Sequence, residues 1–352
     1  MLKIKDKISQ IQKELKKHKT TLILFNKPNN LDPNITYILG ETPESCCVIL
    51  KTTGKPICIM REEVNVKNKN IVKIKVKTND EIFALIKKNA KNKRIFINYK
   101  TTNVKDYKKL KKLFKVKDCS EMLELIRQNK SDSEIKNIKK AVAETEEIFI
   151  SLIREFKKFK TEKQIADFIK EQIKKKGFEQ SFEPIAASGK NSAIPHAIPT
   201  NKLNKGFCIL DFGVKYKNYC ADMTRTIYVG TPTEKEAETY FKVLEVQQNA
   251  IKKLKPGKKC SKIVESAHKE LGSLSKNFVH GLGHGIGVEI HEKPSLKLNS
   301  KDVLTENSVA TVEPGIYFKG RYGIRIEDDV LVTKKGAVVL NKISKNLIIM
   351  KR

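Results

Sequence analysis

Hydrophobic residues in the first third of the chain fall into short runs that alternate with helical patterns. Ile8, Ile11 and Leu15 share one face of an amphipathic helix predicted over residues 1–19. Further on, the apolar pattern predicts the strands Thr21–Phe25, Cys46–Leu50, Pro56–Met60, Ile71–Val76 and Arg94–Asn98, and the helices Asp80–Lys88 and Val104–Phe114. Strands that alternate with helices are typical of an α/β domain, which we place at residues 1–122.

The second part of the chain, residues 131–352, twice repeats the order helix, helix, strand pair. Capping signals begin three of the predicted helices, at Ser131-x-x-Glu134, Thr161-x-x-Gln164 and Thr233-x-x-Glu236. A loop rich in small residues, Ala186–Asn201, precedes the first strand pair. The remaining strand-like segments are Phe278–His291, Ser308–Phe318 and Tyr322–Val332. This order predicts an α+β fold in which one unit is duplicated.

The chain is strongly basic, with a formal net charge of +31. Its lysines are spread over many predicted elements, with few arginines and little aromatic interleaving, so the pattern differs from that of a nucleic-acid groove. We therefore do not expect nucleic acid as a partner. Seven cysteines without any C-x-x-C pair, and no apolar run that resembles a signal peptide or a membrane span, favour a reduced cytoplasmic protein.

Two aspartates interrupt apolar runs in the stretch Cys208–Tyr228. Asp211 and Asp222 are equidistant from a polar turn predicted at Tyr216–Lys217. In a tight antiparallel hairpin they would lie opposite each other on one face, with Cβ atoms about 5 Å apart. Carboxylates that close repel each other unless they share a proton or a cation.

Histidines are rare in this chain, yet three of the six fall within twelve residues, at His280, His284 and His291. Glycines surround His284, and they let backbone approach closely by removing side chains from the lining. A histidine that only fills a core needs no such glycines, so we interpret this cluster as functional. His196, in the loop before the aspartates, is a further candidate.

A second pair of carboxylates, Glu313 and Glu327, is placed symmetrically about Gly320. Four apolar-flanked carboxylates cannot stay ionised together without cations. Together with one imidazole they suit a pair of divalent ions, and Mn²⁺, Co²⁺ or Fe²⁺ fit better than a thiolate-type zinc site. The residues therefore predict a dinuclear metallohydrolase, and spacing alone does not separate an amide substrate from a phosphate ester.

These motifs resemble those of the pita-bread metallopeptidases, a family that includes methionine aminopeptidase, aminopeptidase P and prolidase. The resemblance extends over residues 131–345 in unbroken motif order, and the domain in front looks like the creatinase-type N-terminal domain of aminopeptidase P and prolidase. It implies an Xaa-Pro peptidase that acts on proline-containing peptides and forms a homodimer. It also implies that Asp211 holds one of two Mn²⁺ or Co²⁺ ions, that His284 and Glu313 hold the other, and that Asp222 and Glu327 hold both; Fe²⁺ and Zn²⁺ are the alternatives.

The same resemblance implies catalytic and substrate-binding roles. Glu313 would accept and return the proton of the attacking water, His291 would steady the tetrahedral intermediate, and His196 would orient substrate or shuttle protons. The positions that resemble the substrate pocket of the family are His280, Tyr317 and Arg325.

One departure from the family pattern bears on specificity. Prolidases of this type commonly continue their His-Glu pair as His-Glu-x-Pro-Arg, where the arginine holds the free carboxylate of a dipeptide. This chain has Ser295 at that place, and serine lacks the bidentate fork of a guanidinium. We therefore expect an aminopeptidase acting on longer Xaa-Pro peptides. The alternatives are an Xaa-Pro dipeptidase and, more distantly, a non-catalytic pita-bread module that binds protein or RNA.

Overall fold

The computed structural model describes residues 2–61, 66–90 and 92–351. These residues divide into two units, Met1–Arg127 and Gln128–Arg352. The division lies in the interval between the two predicted domains, residues 123–130. None of the helices within the described ranges combines the length and the apolarity needed to cross a lipid bilayer.

The first unit is a six-stranded mixed sheet with helices, in the strand order β4-β3-β2-β1-β5-β6. Its core contains Ile23, Ile49 and Ile95, which lie on three adjacent strands. The strands are β1 (Thr21–Asn26), β2 (Cys46–Leu50), β3 (Ile57–Met60), β4 (Val72–Lys75), β5 (Arg94–Ile97) and β6 (Lys115–Asp118). The helices are α1 (Leu2–Lys17), α2 (Pro33–Leu39), α3 (Asn79–Asn89), α4 (Val104–Leu113) and α5 (Ser120–Gln128). The predicted α/β class is confirmed.

Three elements of this unit were not predicted: α2, β6 and α5. Helix α2 begins at a standard signal, because Asp32 caps it and proline occupies its first position. It is only seven residues long and almost entirely buried, so it has no polar face and no amphipathic period. Strand β6 is lysine-rich and mostly exposed, which hides the strand pattern.

The second unit contains the two helix pairs and the strand pairs that the sequence predicts. Its helices are α6 (Asp132–Glu155), α7 (Glu162–Lys175), α8 (Glu234–Lys252) and α9 (Cys260–Leu271). Its strands are β7 (Glu179–Gln180), β8 (Ile185–Ser188), β9 (Gly206–Phe212), β10 (Val214–Tyr216), β11 (Tyr219–Cys220), β12 (Met223–Val229), β13 (Gly283–Gly285), β14 (Glu292–Leu296), β15 (Val309–Val312), β16 (Gly315–Phe318), β17 (Tyr322–Arg325), β18 (Asp328–Thr333), β19 (Gly336–Val339) and β20 (Ile349–Met350).

Each helix pair of this unit packs against its own sheet. Helices α6 and α7 share a core with the sheet β20-β12-β9-β8, through residues such as Phe149, Ile169 and Leu210. Helices α8 and α9 share another with the sheet β14-β13-β15-β18-β19, through residues such as Val246 and Ile263. The α+β class and the duplicated arrangement are confirmed.

The hairpin that holds the aspartates has a different register from the predicted one. Asp211 pairs with Thr224 across β9 and β12, so Asp222 lies diagonally from Asp211 rather than opposite it. The turn is centred on Lys217 and Asn218, which both have positive φ. A two-residue hairpin loop of this kind favours asparagine, and this places the turn one residue later than Tyr216–Lys217.

The second hairpin has the predicted register. Gly315 pairs with Arg325 and Val312 pairs with Asp328, so the ladder is symmetric about Gly320. Glu313 and Glu327 occupy symmetric positions in the short gap between the two paired stretches. A break in the ladder therefore frees both carboxylates to point away from the strand pairing.

Two loop and strand predictions were wrong in part. Ala186–Ser188 is not loop but belongs to β8, which pairs with β9. Only Gly283–Gly285 is strand within Phe278–His291, because glycines and close backbone approach take the place of a continuous ladder. Cβ atoms at Gly283 and Gly285 would lie 2.0 and 2.1 Å from the carbonyl oxygens of Thr311 and Lys293. Those glycines are needed for close approach, as the sequence indicates.

Candidate metal centre

The structure brings the five predicted metal ligands to one place between the two sheets. Asp211 is near the end of β9, Asp222 immediately precedes β12, and His284 lies in the middle of β13. Glu313 and Glu327 fill the gaps before β16 and β18. Donor atoms of Asp222, His284 and Glu327 all lie within 4.8 Å of one another.

The side chains of His284, Asp222 and Glu313 approach one another without forming short hydrogen bonds. The Nε2 atom of His284 is 3.4 Å from Glu313 Oε1 and 3.6 Å from Asp222 Oδ2. Both separations are too long for strong charge-assisted hydrogen bonds. The imidazole therefore does not neutralise either carboxylate.

The carboxylates have strongly perturbed acidities. Burial, and then the charges of Glu327 and Asp211, raise the pKa of Asp222 well above its ordinary value. Burial and the charges of Glu313 and Asp211 do the same to the pKa of Glu327. Burial raises the pKa of Glu313 to about 7 despite the lowering effect of Arg325. The cluster thus holds more negative charge than its protein surroundings compensate.

The histidines are shifted in the opposite direction. Burial lowers the pKa of His284 to about 3 and that of His280 to about 4. Burial also lowers the pKa of His291. At neutral pH His284 therefore presents a neutral ring nitrogen, which is the form that binds a metal.

The donor set fits divalent cations. Asp211 Oδ1 and Glu327 Oε1 are buried and have no hydrogen-bond partner in the structure, although buried acceptors are normally satisfied. Four carboxylates and one imidazole, without a thiolate, are the ligands that Mn²⁺ and similar ions accept. Bound cations would satisfy the two orphan oxygens and reverse the pKa shifts of the carboxylates.

Arg325 connects this cluster to two further candidate residues, Tyr317 and His280. Its Nη2 donates to Asp211 Oδ2 at 2.6 Å, and its Nη1 donates to the Tyr317 hydroxyl at 2.7 Å. The same hydroxyl lies 2.9 Å from His280 Nε2. Arg325, Tyr317 and His280 are therefore linked by hydrogen bonds into one series that ends at Asp211, a candidate ligand.

The two remaining candidates are more exposed. The ring of His291 lies edge-on to that of His284, with centroids 4.3 Å apart. His196 is exposed in the loop after β8, and its charge contributes to the lowered pKa of His280 and of His291. Both side chains thus border the cluster without belonging to it.

Two threonines position the glutamates, and neither was predicted from the sequence. Thr224 Oγ1 donates to Glu327 Oε2 at 2.6 Å and accepts from Arg325 Nε at 3.1 Å. Thr311 Oγ1 donates to Glu313 Oε1 at 3.2 Å and accepts from the His284 backbone N–H at 3.0 Å. Threonine is common in strands, so the sequence around these residues carries no separate signal.

A further unpredicted residue, Glu162, fastens the loop that carries His196. Its buried carboxylate accepts from the N–H and hydroxyl of Ser188, at 2.6 and 2.7 Å, and from Asn191 Nδ2 at 2.7 Å. It also accepts from the N–H and hydroxyl of Thr200, at 2.8 and 2.7 Å. In the sequence Glu162 follows the helix cap Thr161, where an acidic residue is common for helix stability alone, so the pattern does not reveal its contacts with the loop.

Comparisons with known families match both parts of the chain. Residues 136–334 match the model of metallopeptidase family M24, and residues 7–128 match that of the creatinase/prolidase N-terminal domain. The first match contains all five candidate ligands.

Individual relatives extend over nearly the whole chain. An Xaa-Pro dipeptidase of Pyrococcus horikoshii is 33% identical, over 97% of this chain and 99% of its own. Among solved structures, the prolidase of Pyrococcus horikoshii has a TM-score of 0.88 at 30% identity, covering 97% of this chain and 100% of its own. The X-Pro aminopeptidase of Thermotoga maritima has a TM-score of 0.86 at 29% identity, covering 94% and 97%.

Proposed function

The chain belongs to metallopeptidase family M24, and from that premise we propose that it is an Xaa-Pro dipeptidase. The observation that carries the proposal is the buried cluster of four carboxylates and His284, in a chain that aligns along 97% of its length with a relative named Xaa-Pro dipeptidase. The family is one of metal-dependent hydrolases. Proline suits a dedicated enzyme because its amide lacks an N–H and its ring fixes φ.

We assign the cluster to two divalent cations, with Mn²⁺ or Co²⁺ as the preferred ions. Asp211 would hold one ion, His284 and Glu313 the other, and Asp222 and Glu327 would contact both. When bound, the ions supply Lewis-acid polarisation of the scissile carbonyl and an acidified water. The unsatisfied oxygens of Asp211 and Glu327 support this assignment.

Side chains of the protein would transfer the protons and stabilise the charge that develops on the substrate. Glu313 would take a proton from the attacking water and return it to the proline nitrogen, as a general base and then a general acid, and Thr311 Oγ1 holds its carboxylate in place. His291 is placed beside His284 to donate a hydrogen bond to the carbonyl oxygen as it gains charge.

Other residues shape the pocket. The hydrogen-bonded series of Arg325, Tyr317 and His280 would form the wall of the substrate pocket beside Asp211. Arg325 keeps the Tyr317 hydroxyl and the Asp211 carboxylate in fixed positions, and this pre-organisation lowers the cost of binding. His196 on its tethered loop would close the other side.

The dipeptidase assignment replaces the expectation of an aminopeptidase. That expectation rested on Ser295, and the relatives favour the dipeptidase because those that span the chain most fully carry that name. The aminopeptidase stays as a second candidate on one specific observation. Ser295 lies directly across the strand pair from His284, where its short side chain offers no cation to a substrate carboxylate.

Hydrolysis of defined peptides in the presence of Mn²⁺ tests the proposal. We expect release of proline from Ala-Pro and Met-Pro, with little cleavage of Ala-Pro-Gly or longer peptides. The Asp222→Asn variant is the control, because it removes a proposed ligand while conserving shape. Efficient cleavage of the longer peptides would support the aminopeptidase, and cleavage of neither class would contradict both assignments.

A further inference from the structure

A dipeptide substrate brings a free carboxylate close to the scissile bond, so the site of a dipeptidase needs a cation there. Two permanent cations influence the histidines and Glu313 of the candidate site, namely Arg325 and Lys297. Arg325 is committed, because its guanidinium donates to Asp211, to Tyr317, to the carbonyl of Pro195 and to Thr224. Little of its donor capacity is left for substrate.

The side chain of Lys297 differs from that of Arg325, because its ammonium has no hydrogen-bond or ion-pair partner among the described residues. It follows directly after β14, whose last residue, Leu296, pairs with Gly283. Its side chain lies over Gly281, since a Cβ atom placed on that glycine would be 3.0 Å from Lys297 Cγ and 3.5 Å from Lys297 Cε. The absence of a side chain at residue 281 thus leaves the lysine a path toward the site.

The residues under this path belong to the candidate site. Leu282, next to Gly281, accepts a hydrogen bond from the backbone N–H of Glu313 at 2.8 Å. His280, on the other side of Gly281, is hydrogen-bonded to Tyr317. The charge of Lys297 is one of the causes that lower the pKa of His284 and of His291, which agrees with an ammonium that lies near both rings.

We propose that Lys297 receives the C-terminal carboxylate of an Xaa-Pro dipeptide, which makes it a residue that determines substrate length. This inference rests on the dipeptidase function proposed above. An exposed, flexible ammonium can reach a carboxylate beside the site while staying hydrated in the free enzyme. Compared with an arginine fork, it acts as a point charge without geometric selectivity.

Another lysine of the same segment, Lys293, is already engaged. Lys293 Nζ donates to Asp302 Oδ1 at 2.6 Å, and the other oxygen of Asp302 accepts from the backbone N–H of Ser295 at 2.8 Å. This arrangement fixes Lys293 to its own strand, whereas the ammonium of Lys297 has no such partner among the described residues.

Steady-state kinetics on Ala-Pro and on its amide, Ala-Pro-NH₂, test the proposal, since the amide lacks the carboxylate charge. For the Mn²⁺-loaded Lys297→Met variant we expect KM for Ala-Pro to rise about 10- to 100-fold, the range that loss of a hydrogen bond to a charged group implies. We expect kcat for Ala-Pro, and both constants for the amide, to change less than about twofold. Lys297→Arg should recover most of the lost affinity.

Lys301→Met is the matched control, because Lys301 is another exposed lysine nearby and its loss changes net charge equally. It should leave the ratio of kcat/KM for dipeptide and amide unchanged. An equal effect of Lys297→Met on both substrates, or none on either, would overturn the role of Lys297 while leaving the peptidase function intact. Wild-type enzyme that hydrolyses neither substrate would overturn the proposed function itself, and the role of Lys297 with it.

Discussion

Glu327 and Asp328 are adjacent buried carboxylates that belong to two different clusters. Asp328 accepts from Arg225 Nη2 at 2.7 Å, Lys345 Nζ at 2.6 Å and Gln247 Nε2 at 2.9 Å. Burial would raise the pKa of Asp328, but Arg225 and Lys345 outweigh it and hold that pKa below its ordinary value. Glu327 points to the opposite side, where its pKa is raised well above its ordinary value.

The comparison distinguishes two kinds of buried carboxylate. Asp328 stabilises the fold through its ion pairs, whereas Glu327 is available to bind a ligand. The carboxylate of Asp328 is satisfied within the protein, because two cations and an amide donate hydrogen bonds to its oxygens. The candidate metal centre leaves Glu327 Oε1 and Asp211 Oδ1 without partners. Uncompensated, buried negative charge is costly for a folded chain, so its presence beside a compensated cluster indicates a site that a cation completes.

The largest expected effect is a loss of activity when Glu327 is replaced by glutamine, which has nearly the same shape but carries no charge. Glu327→Gln should lower kcat/KM for Ala-Pro by about 10³-fold or more, because it removes a proposed ligand of both metal ions. The thermal stability of the metal-free protein should stay equal or rise, since a repelled charge is lost. Kinetics with Mn²⁺ and calorimetry without it test both statements. A Glu327→Gln protein that keeps its activity, or one that is strongly destabilised, would show that Glu327 does not differ from Asp328 in the proposed way.

Substitution of the neighbouring Asp328 should lower stability, which the Glu327 substitution should not do. Asp328→Asn leaves Arg225 and Lys345 buried without a counter-charge, and breaking such a network costs about 3–5 kcal/mol. We expect a corresponding fall in the free energy of unfolding, measured by urea denaturation of the metal-free protein. A loss of less than about 1 kcal/mol would show that Asp328 is not a structural charge.

Sequence reasoning found these ligands through symmetry and failed where tertiary pairing decides the geometry. The symmetry about Gly320 predicts the register of Glu313 and Glu327 correctly, because two strand pairs of the same register lie on either side of these residues. The aspartate hairpin was placed two residues out of register, because the positive φ values at Lys217 and Asn218 set its turn. Thr224, Thr311 and Glu162 act through contacts with residues distant in sequence, and no local pattern reveals such contacts.

Metal affinity should depend on pH in a direction that the pKa shifts fix. The pKa of Glu313 is raised to about 7, and those of Asp222 and Glu327 are also raised well above their ordinary values, so below pH 7 the metal-free site holds protons that a cation must displace. His284 is already neutral and releases none. Apparent affinity for Mn²⁺ should therefore rise about tenfold or more per pH unit between pH 6 and 7.

Isothermal titration calorimetry in two buffers of different ionisation enthalpy measures this proton release directly. The Asp328→Asn variant should release the same number of protons as the wild type, because the lowered pKa of Asp328 keeps it ionised throughout. Binding that is independent of pH would show that the cluster carries no displaceable protons.

The smallest effect concerns Glu162, a buried carboxylate that holds the His196 loop through hydrogen bonds to Ser188, Asn191 and Thr200. Glu162→Gln should weaken the tether of the His196 loop and cost about 1–3 kcal/mol of stability, with a fall of about tenfold or less in kcat/KM and unchanged Mn²⁺ affinity. Glu236→Gln is the matched control. The N–H and the hydroxyl of Thr233 both donate to the carboxylate of Glu236. This pair forms the cap of helix α8, and no hydrogen bond among the described residues joins it to a candidate ligand. Equal kinetic effects of the two variants would exclude a specific role for Glu162.

The central claim is that the uncompensated cluster takes up two divalent cations, and metal stoichiometry tests it most directly. Metal-free wild-type, Glu327→Gln and Asp328→Asn proteins would be dialysed against Mn²⁺, and the bound metal would be measured by elemental analysis. We predict two ions per chain for the wild type and for the folded Asp328→Asn protein, and at most one for Glu327→Gln. Wild-type protein that retains no Mn²⁺, or Glu327→Gln protein that retains two ions, would contradict the account.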